Sequence, residues 1–383
     1  MAVKKTFRIG IDARLAGPKH AGIGRYSENL IKRLIEFSLQ KEDKTKIKFI
    51  LFFFDLNQAK EVLGDLFSSK NIEIITTGIK HYGLREQFIL PGFYKKAALD
   101  LLYVPHWNVP IAYKGKLVIT IHDLLWYEQK GTNATTLKPW IYLIKYFAHK
   151  YVSRKAAKKA LSIFVPAETV KDTVIRYYPF AKNKIIVSKE GIASIYQKSL
   201  EEKSSPNQNQ RIKKQLIYTG SLYPHKNLKI IIKSLKKLPK YKLLIASSRS
   251  IFQSQIQTLI SNYKVKNQVV FLGFVPDEKL ISIYQESTAL VQPSLSEGFG
   301  LTGIEAMASH TPVLASNIKV FKEIYQDAAF FFDPNSSSSF ITALENLESG
   351  NRKKVVDEGL KVAGQYSFDK MAKDIWLQFL KLL

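Results

Sequence analysis

The chain contains no cysteine, which excludes disulfides, thiolate metal sites and cysteine nucleophiles together. Its seven histidines are scattered, and none falls into a spacing such as H-E-x-x-H that sets two rings on one helix face around a metal. No apolar run approaches the roughly 20 residues a membrane-spanning helix needs. The longest, IKFILFFF at Ile47–Phe54, is strand-length and includes a lysine. The opening stretch MAVKKTFRIGIDAR is basic but runs into a strand-like pattern with no small-residue cleavage site; the expectation is a cytoplasmic protein. Acidic residues are scarce: 32 Asp and Glu stand against 58 Lys and Arg, a formal charge of +26. That excess favours an anionic partner, and nucleic acid, an anionic membrane surface and a phosphorylated substrate all qualify. The basic residues are spread along the chain without an RNP, KH, zinc-finger or basic-zipper pattern, which sets nucleic acid aside.

What is present is alternation. At 383 residues and 46% apolar, the chain has the length and composition of two globular domains. Apolar strand-like runs alternate with longer helix-like segments: 7–13, 47–54, 99–105, 116–123, 161–167 and 184–191, then 215–221, 241–247, 268–274, 289–294, 312–316 and 328–333. Between the two series, SLEEKSSPNQNQRIKKQ (199–215) is polar and without period, and reads as a linker. The short SSSS at Ser336–Ser339 reads as a loop. The pattern predicts two doubly wound parallel-sheet α/β domains facing one another, 1–198 and 215–365, joined by a linker at 199–214. In such sheets ligands bind outside the carboxyl ends of the strands.

The richest stretch is SLSEGFGLTGIEAMASHTPVLAS, Ser294–Ser316. Gly298 and Gly300 allow close backbone approach before a helix expected near Leu301, whose first amides lack intrahelical partners and suit an anion. Glu305, about one turn into that helix, can accept bonds from a ribose diol; Glu297, on the loop, can hold a hydroxyl of a transferred group. A second loop, GSLYPHKNL, follows a strand at Gly220 and Ser221 and sets Lys226 just before another helix, where its ammonium can meet a diphosphate. In AGPKHAGIGRYSENL, Gly22 and Gly24 precede a helix expected to start near Arg25 or Tyr26. A second phosphate contact and a plain helix entry are both open there. TIHDL puts His122 at a strand end, where it can bond a sugar hydroxyl or serve packing alone.

These residues together resemble glycosyltransferase family 4 and its E-x7-E signature. GIDARLAGPKHAGIGRYSENLIKRL, DLLYVPHWNVP, TIHDL, YTGSLYPHKNLKIIIKSL, VVFLGFVPDEKL and YQDAAFFFDP occur in the order that family uses. The resemblance implies the GT-B fold of two facing Rossmann-like domains, with the C-terminal helix, 366–383, crossing back to the first. It implies Glu305 on the nucleotide ribose and Glu297 on the donor sugar. Gly298, Phe299, Gly300 and Leu301 would line sugar and diphosphate, Lys226 would take the diphosphate, and His122 would stand near the reacting carbon. Two departures stand out. Ser221 occupies the place of an arginine common after the phosphate-loop glycine, so charge on the leaving group is expected to rest more heavily on Lys226 and the helix ends, or to be met by His225 or another residue. His310 replaces a glycine before TPV, which touches packing.

The activity so implied is retaining transfer of a hexose from a nucleotide-diphosphate sugar, without an obligatory metal, to a glycan or lipid-linked acceptor. GDP-mannose is favoured over UDP-sugars from the likeness of GIGRYSENL and GSLYPHKNL to mannosyltransferase-like members. Lys138–Ser162, with Lys150, Arg154, Lys155, Lys158 and Lys159, reads as a helix whose basic face could lie on anionic lipid, a peripheral association with the inner face of the membrane. Alternatives are a protein that binds or epimerises nucleotide sugars, and a glycosidase using Glu297 and Glu305. The phosphate-suited helix start counts against the glycosidase.

Overall fold

The structure, a computed structural model, describes residues 6–39, 46–128, 138–201, 213–248 and 250–383. The alternation resolves into two all-parallel sheets. The first contains seven strands: β1 (Thr6–Asp12), β2 (Lys46–Phe53), β3 (Ile72–Thr76), β4 (Leu101–Val104), β5 (Leu117–Thr120), β6 (Ser162–Val165) and β7 (Ile185–Val187), in the order β3-β2-β1-β4-β5-β6-β7. The second contains six: β8 (Lys213–Thr219), β9 (Lys242–Ala246), β10 (Val269–Gly273), β11 (Ser287–Gln292), β12 (Val313–Ser316) and β13 (Ala329–Phe332), in the order β10-β9-β8-β11-β12-β13. In each sheet the order reverses once, at β1|β4 and at β8|β11. Those are the switch points where adjacent crossovers go to opposite faces and leave a crevice.

The sheets belong to two units, one of Met1–Leu124, Leu137–Gly191 and Phe368–Leu383, the other of Leu125–Thr136 and Ile192–Ser367. In the first, Ile9 and Ile11 of β1, Phe49 and Leu51 of β2 and Leu30 and Leu34 of helix Ala21–Leu39 share one core. Met371, Ile375 and Phe379 of helix Phe368–Leu382 complete that core; each such side chain contributes about 1.5–3 kcal/mol on burial. The terminal helix is tied down at its ends by Arg33 Nε to Asp369 (2.9 Å) and Lys116 Nζ to the Leu382 carbonyl (2.7 Å). In the second unit Leu216, Leu243, Ile245 and Val291 pack with Ile231 and Leu235 of helix Leu228–Leu235.

Several expectations are corrected. β3 was not anticipated: Ile72–Thr76 is an edge strand whose residues are only half-buried or exposed. Its Glu73 takes ion pairs from Arg8 (3.2 Å) and Lys48 (3.1 Å). Ser337–Ser339 are helical, not loop: they open helix Ser337–Ser349, and the Ser336 hydroxyl caps it by accepting the Ser339 amide. Helix Ala21–Leu39 begins before Gly22 and Gly24, so both lie inside its first turn. Of the linker, residues 202–212 lie outside those described; Ser199–Glu201 end helix Ser194–Glu201, and 213–215 begin β8. No helix among the described residues is long and apolar enough to cross a membrane.

Candidate active site

β8 and β11 are neighbours, with Ala289 opposite Leu216 and Leu290 opposite Ile217, so the loops leaving them meet at the switch point of the second sheet. After β8 comes Gly220, with φ 145°, then Ser221 and a turn of 3-10 helix, Pro224–Lys226. After β11 comes SLSEGFG, then helix Leu301–Ala308. Two sets of bonds stitch the loops together. The Leu295 amide donates to the His225 carbonyl at 2.8 Å. Asn227, in the left-handed region (φ 53°), donates its side-chain amide to the carbonyls of Pro293 (3.1 Å) and Pro334 (2.8 Å). Asparagine is among the few side chains that accept that backbone conformation.

Gly300 is fixed for two reasons. Its φ is 102°, and a Cβ there would lie 2.3 Å from the Tyr325 hydroxyl and 2.8 Å from Phe321 Cε1. That hydroxyl braces the loop, lying 2.6 Å from the Gly300 carbonyl and 2.5 Å from Gln292 Oε1. Gln292 in turn donates to Thr302 Oγ1 at 2.7 Å. Phe299 is buried edge-on against Tyr366, and Leu301 is half-buried.

The stitched loops bring Lys226 and Glu297 together. Lys226 Nζ donates to Glu297 Oε1 at 2.6 Å, and the Ser294 hydroxyl donates to the same oxygen at 2.7 Å. The two charged side chains are 21% and 15% exposed, so the pair is shielded yet reachable. Burial alone would raise the Glu297 pKa. The Lys226 charge and hydrogen bond and the Ser294 hydroxyl outweigh it, and the net shift is downward. Burial, then Lys226, pushes His225 down to about 4. His225 is therefore neutral at neutral pH and does not replace the arginine for which Ser221 stands. Ser221 itself accepts the Tyr218 hydroxyl at its carbonyl, 2.5 Å. Glu305 is different from Glu297: it sits inside helix Leu301–Ala308 and is 1% exposed. His310 has a φ of 59°, the conformation a glycine adopts freely, and its Nε2 meets the Ser199 carbonyl at 3.0 Å. Among the described residues no group of three or more His, Asp or Glu side chains could hold a metal ion.

The first unit holds the other candidates. His122, just past β5, is 8% exposed, with Nδ1 2.9 Å from Glu190 Oε1 and Nε2 3.1 Å from the Pro105 carbonyl. Both partners are acceptors, an arrangement that favours the doubly protonated ring. Burial lowers its pKa, but the Glu190 bond and charge and the Pro105 carbonyl raise it further, for a net rise. No ring nitrogen is left over for a sugar hydroxyl unless one of these bonds is given up. Gly24 has a packing reason: a Cβ would fall 2.0 Å from the Gly17 carbonyl, whereas one at Gly22 would meet nothing within 4 Å.

Sequence reasoning missed several partners. Ser294, Asn227, Gln292 and Tyr325 shape the second-unit loops, and Asn227 was findable as a residue preceding a helix. Near the first switch point, Arg14 is buried between Asp12 (2.6 Å) and Glu86 (2.7 Å). Burial would raise Asp12, but Arg14 brings it down to about 2.

Residues 199–361 match the family of glycosyl transferases group 1. The matched stretch holds Lys226, Glu297 and Glu305. The chain is similar to the O-antigen chain mannosyltransferase RfbU of Salmonella typhimurium, 29% identical over 283 residues, 72% of this chain and 73% of that one. It is also similar to the O-antigen chain mannosyltransferase B of Escherichia coli, 25% identical over 371 residues, 91% of this chain and 93% of the other. Among solved structures, Anabaena HepE in complex with UDP and glucose superposes with a TM-score of 0.71 at 16% identity, covering 98% of this chain and 100% of that one. Sucrose-phosphate synthase of Thermosynechococcus elongatus superposes with a TM-score of 0.73 at 15% identity, covering 98% and 99%. The fold is thus GT-B, with two Rossmann-like parallel-sheet domains.

Proposed function

We propose that this protein is a glycosyltransferase that moves a hexose, with retention, from a nucleotide-diphosphate sugar to a glycan or lipid-linked acceptor in cell-envelope polysaccharide synthesis. Assignment to family 4, a cytoplasmic location and GDP-mannose as the first donor to test are part of the same reading. The names of the two mannosyltransferase relatives support the sugar, and the UDP and glucose of HepE support a nucleotide-sugar donor.

One observation carries the reading: a shielded Lys226–Glu297 pair, 2.6 Å apart, at the β8|β11 switch point. An ammonium already paired with a carboxylate can exchange that partner for a diphosphate oxygen, since both are anions of similar hydrogen-bonding geometry. Glu297, released, then accepts a hydroxyl of the donor sugar. The amides around Gly298, Phe299, Gly300 and Leu301 line sugar and diphosphate, Gly220 and Ser221 flank the phosphates, and Glu305 holds the ribose diol. Gly22 and Gly24 stand as a further phosphate contact, and His122 as a partner of the transferred sugar once its Nε2 gives up the Pro105 carbonyl. In the reaction the bond from the anomeric carbon to the diphosphate oxygen breaks and the bond to the acceptor oxygen forms on the same face. The departing phosphate oxygen takes the acceptor's proton. Lys226 and the helix starts at Leu228 and Leu301 stabilise the charge on that oxygen, a role that removes the need for an obligatory metal.

The test is release of free nucleotide from GDP-, UDP- and ADP-sugars, each with and without an acceptor extract. Acceptor-dependent release supports the transferase. Binding without release would leave a nucleotide-sugar-binding protein.

A further inference from the structure

Helix Pro139–Lys159 packs one side against its domain through Tyr142, Val152, Ser153, Ala156 and Ala157. The sequence alone points to a basic outer face. The structure gives an outer face that starts apolar. Trp140, Leu143, Ile144, Phe147 and Tyr151, spaced three and four residues apart, form a single stripe and are between 52% and 64% exposed. Arg154, Lys155 and Lys158 continue the same spacing past Tyr151 and are exposed. No acidic residue occurs between Lys138 and Ala167. At the basic end, a cavity of about 160 Å³ opens between Pro110 and Ile111 on one side and Lys155, Lys158 and Lys159 on the other. In the same unit the short helix Leu84–Phe88 also exposes apolar side chains, Leu84 and Phe88, by 78% and 79%.

Water is a poor partner for such a stripe, and a soluble chain seldom exposes so much contiguous apolar surface without an occupant. The stripe and the charge call for different things, apolar depth and anions, and a membrane interface supplies both. Trp and Tyr are side chains suited to that boundary. A second copy of the chain offers apolar surface too, but it brings the same cations and a formal charge of +26 with it.

We propose that this outer face docks the protein on an anionic lipid bilayer. Trp140, Ile144, Phe147 and Tyr151 enter the interface, and Arg154, Lys155 and Lys158 meet lipid phosphates. The inference stands apart from the donor assignment, since it needs no turnover.

Full-length protein is floated with vesicles of phosphatidylcholine containing phosphatidylglycerol, and with phosphatidylcholine alone, while tryptophan emission is recorded. Binding is expected to the anionic vesicles, to weaken with salt, and to shift emission to the blue; a Trp140→Phe variant loses the shift and so assigns it. Replacing Arg154, Lys155 and Lys158 by serine lowers affinity for anionic vesicles about 100-fold, at roughly fivefold per charge. Ile144→Ser with Phe147→Ser weakens binding at least about tenfold and abolishes the emission shift. All of these positions are exposed, and circular dichroism checks that each variant is folded. Three results would overturn the proposal: no flotation at low salt, flotation unchanged in both variants, or lipid-free self-association through this face that Phe147→Ser abolishes, which would assign the face to a second copy.

Discussion

Replacing Lys226 by alanine removes the one cation that, among the described residues, forms an ion pair with Glu297, 2.6 Å away. In the ligand-free protein the change strands a carboxylate that is 15% exposed, leaving it the Ser294 hydroxyl at 2.7 Å. Losing the charged partner of such a group costs about 1–3 kcal/mol of stability. The larger consequence falls on the donor. A hydrogen bond to a charged group contributes about 1.5–3 kcal/mol, so affinity for the nucleoside diphosphate product falls by at least about tenfold. Charge grows on the leaving diphosphate as the glycosidic bond breaks, and removing one donor aimed at such charge costs about 10²–10³ in turnover. Lys226→Ala is therefore expected to lower kcat/KM by about 10²–10³-fold. Glu297→Gln separates the two roles. It frees the ammonium while keeping the side chain's shape, so diphosphate affinity is held or improved while kcat falls. Calorimetric titration with the nucleoside diphosphate gives the binding, and coupled detection of released nucleotide gives the rates. Near wild-type rates in Lys226→Ala, within about threefold, would refute the reasoning, because no diphosphate contact of the proposed strength could then involve Lys226.

Three further outcomes follow from named contacts. Gly300→Ala combines a φ of 102° with a Cβ 2.3 Å from the Tyr325 hydroxyl; it should cost about 1–3 kcal/mol, read by urea denaturation, and Tyr325→Phe should not restore stability because Phe321 Cε1 stays 2.8 Å away. Arg14→Met leaves Asp12 and Glu86 buried without their shared cation; a loss of about 3–5 kcal/mol is expected, and a change under about 1 kcal/mol would mean the pair is solvated. His122 has a raised folded pKa, so its pairing with Glu190 stabilises fully below the unfolded value of 6.5 and fades as pH rises through the folded value. Glu190→Gln should remove that dependence from denaturation curves taken from about pH 5.5 upward, and an unchanged curve would show that the pair adds nothing.

How much of this was legible in the chain varies from element to element. Twelve of the strands announce themselves as apolar runs between turn residues, but Ile72–Thr76 carries Glu73 among its isoleucines and lies at the sheet edge. There the apolar pattern is diluted, and pairing with β2 decides the conformation instead. Ser336–Ser339 reads as a polar tract, yet serine is also a helix cap, and only the Ser339 amide meeting the Ser336 hydroxyl tells the two apart. Gly22 and Gly24 misplaced the helix start, which precedes both; Gly24 is required by the Gly17 carbonyl, while Gly22 meets nothing within 4 Å. Lys226 and Glu297 were each identifiable from the loop that holds them. Their pairing was not, because 71 residues separate them and only the β8–β11 neighbourhood brings the loops together. His122 shows the same limit: Glu190 follows β7, two strands away in the order β5-β6-β7, a distance no local pattern spans. The outer face of Pro139–Lys159 was visible as charge, while which residues pointed outward waited for the packing of Tyr142, Val152 and Ala156.

The most direct measurement is a crystal structure of the protein soaked with GDP-mannose or with GDP. The account predicts diphosphate oxygens about 3 Å from Lys226 Nζ, with Glu297 turned away from the lysine. A nucleotide bound elsewhere, with the Lys226–Glu297 contact intact, would contradict it.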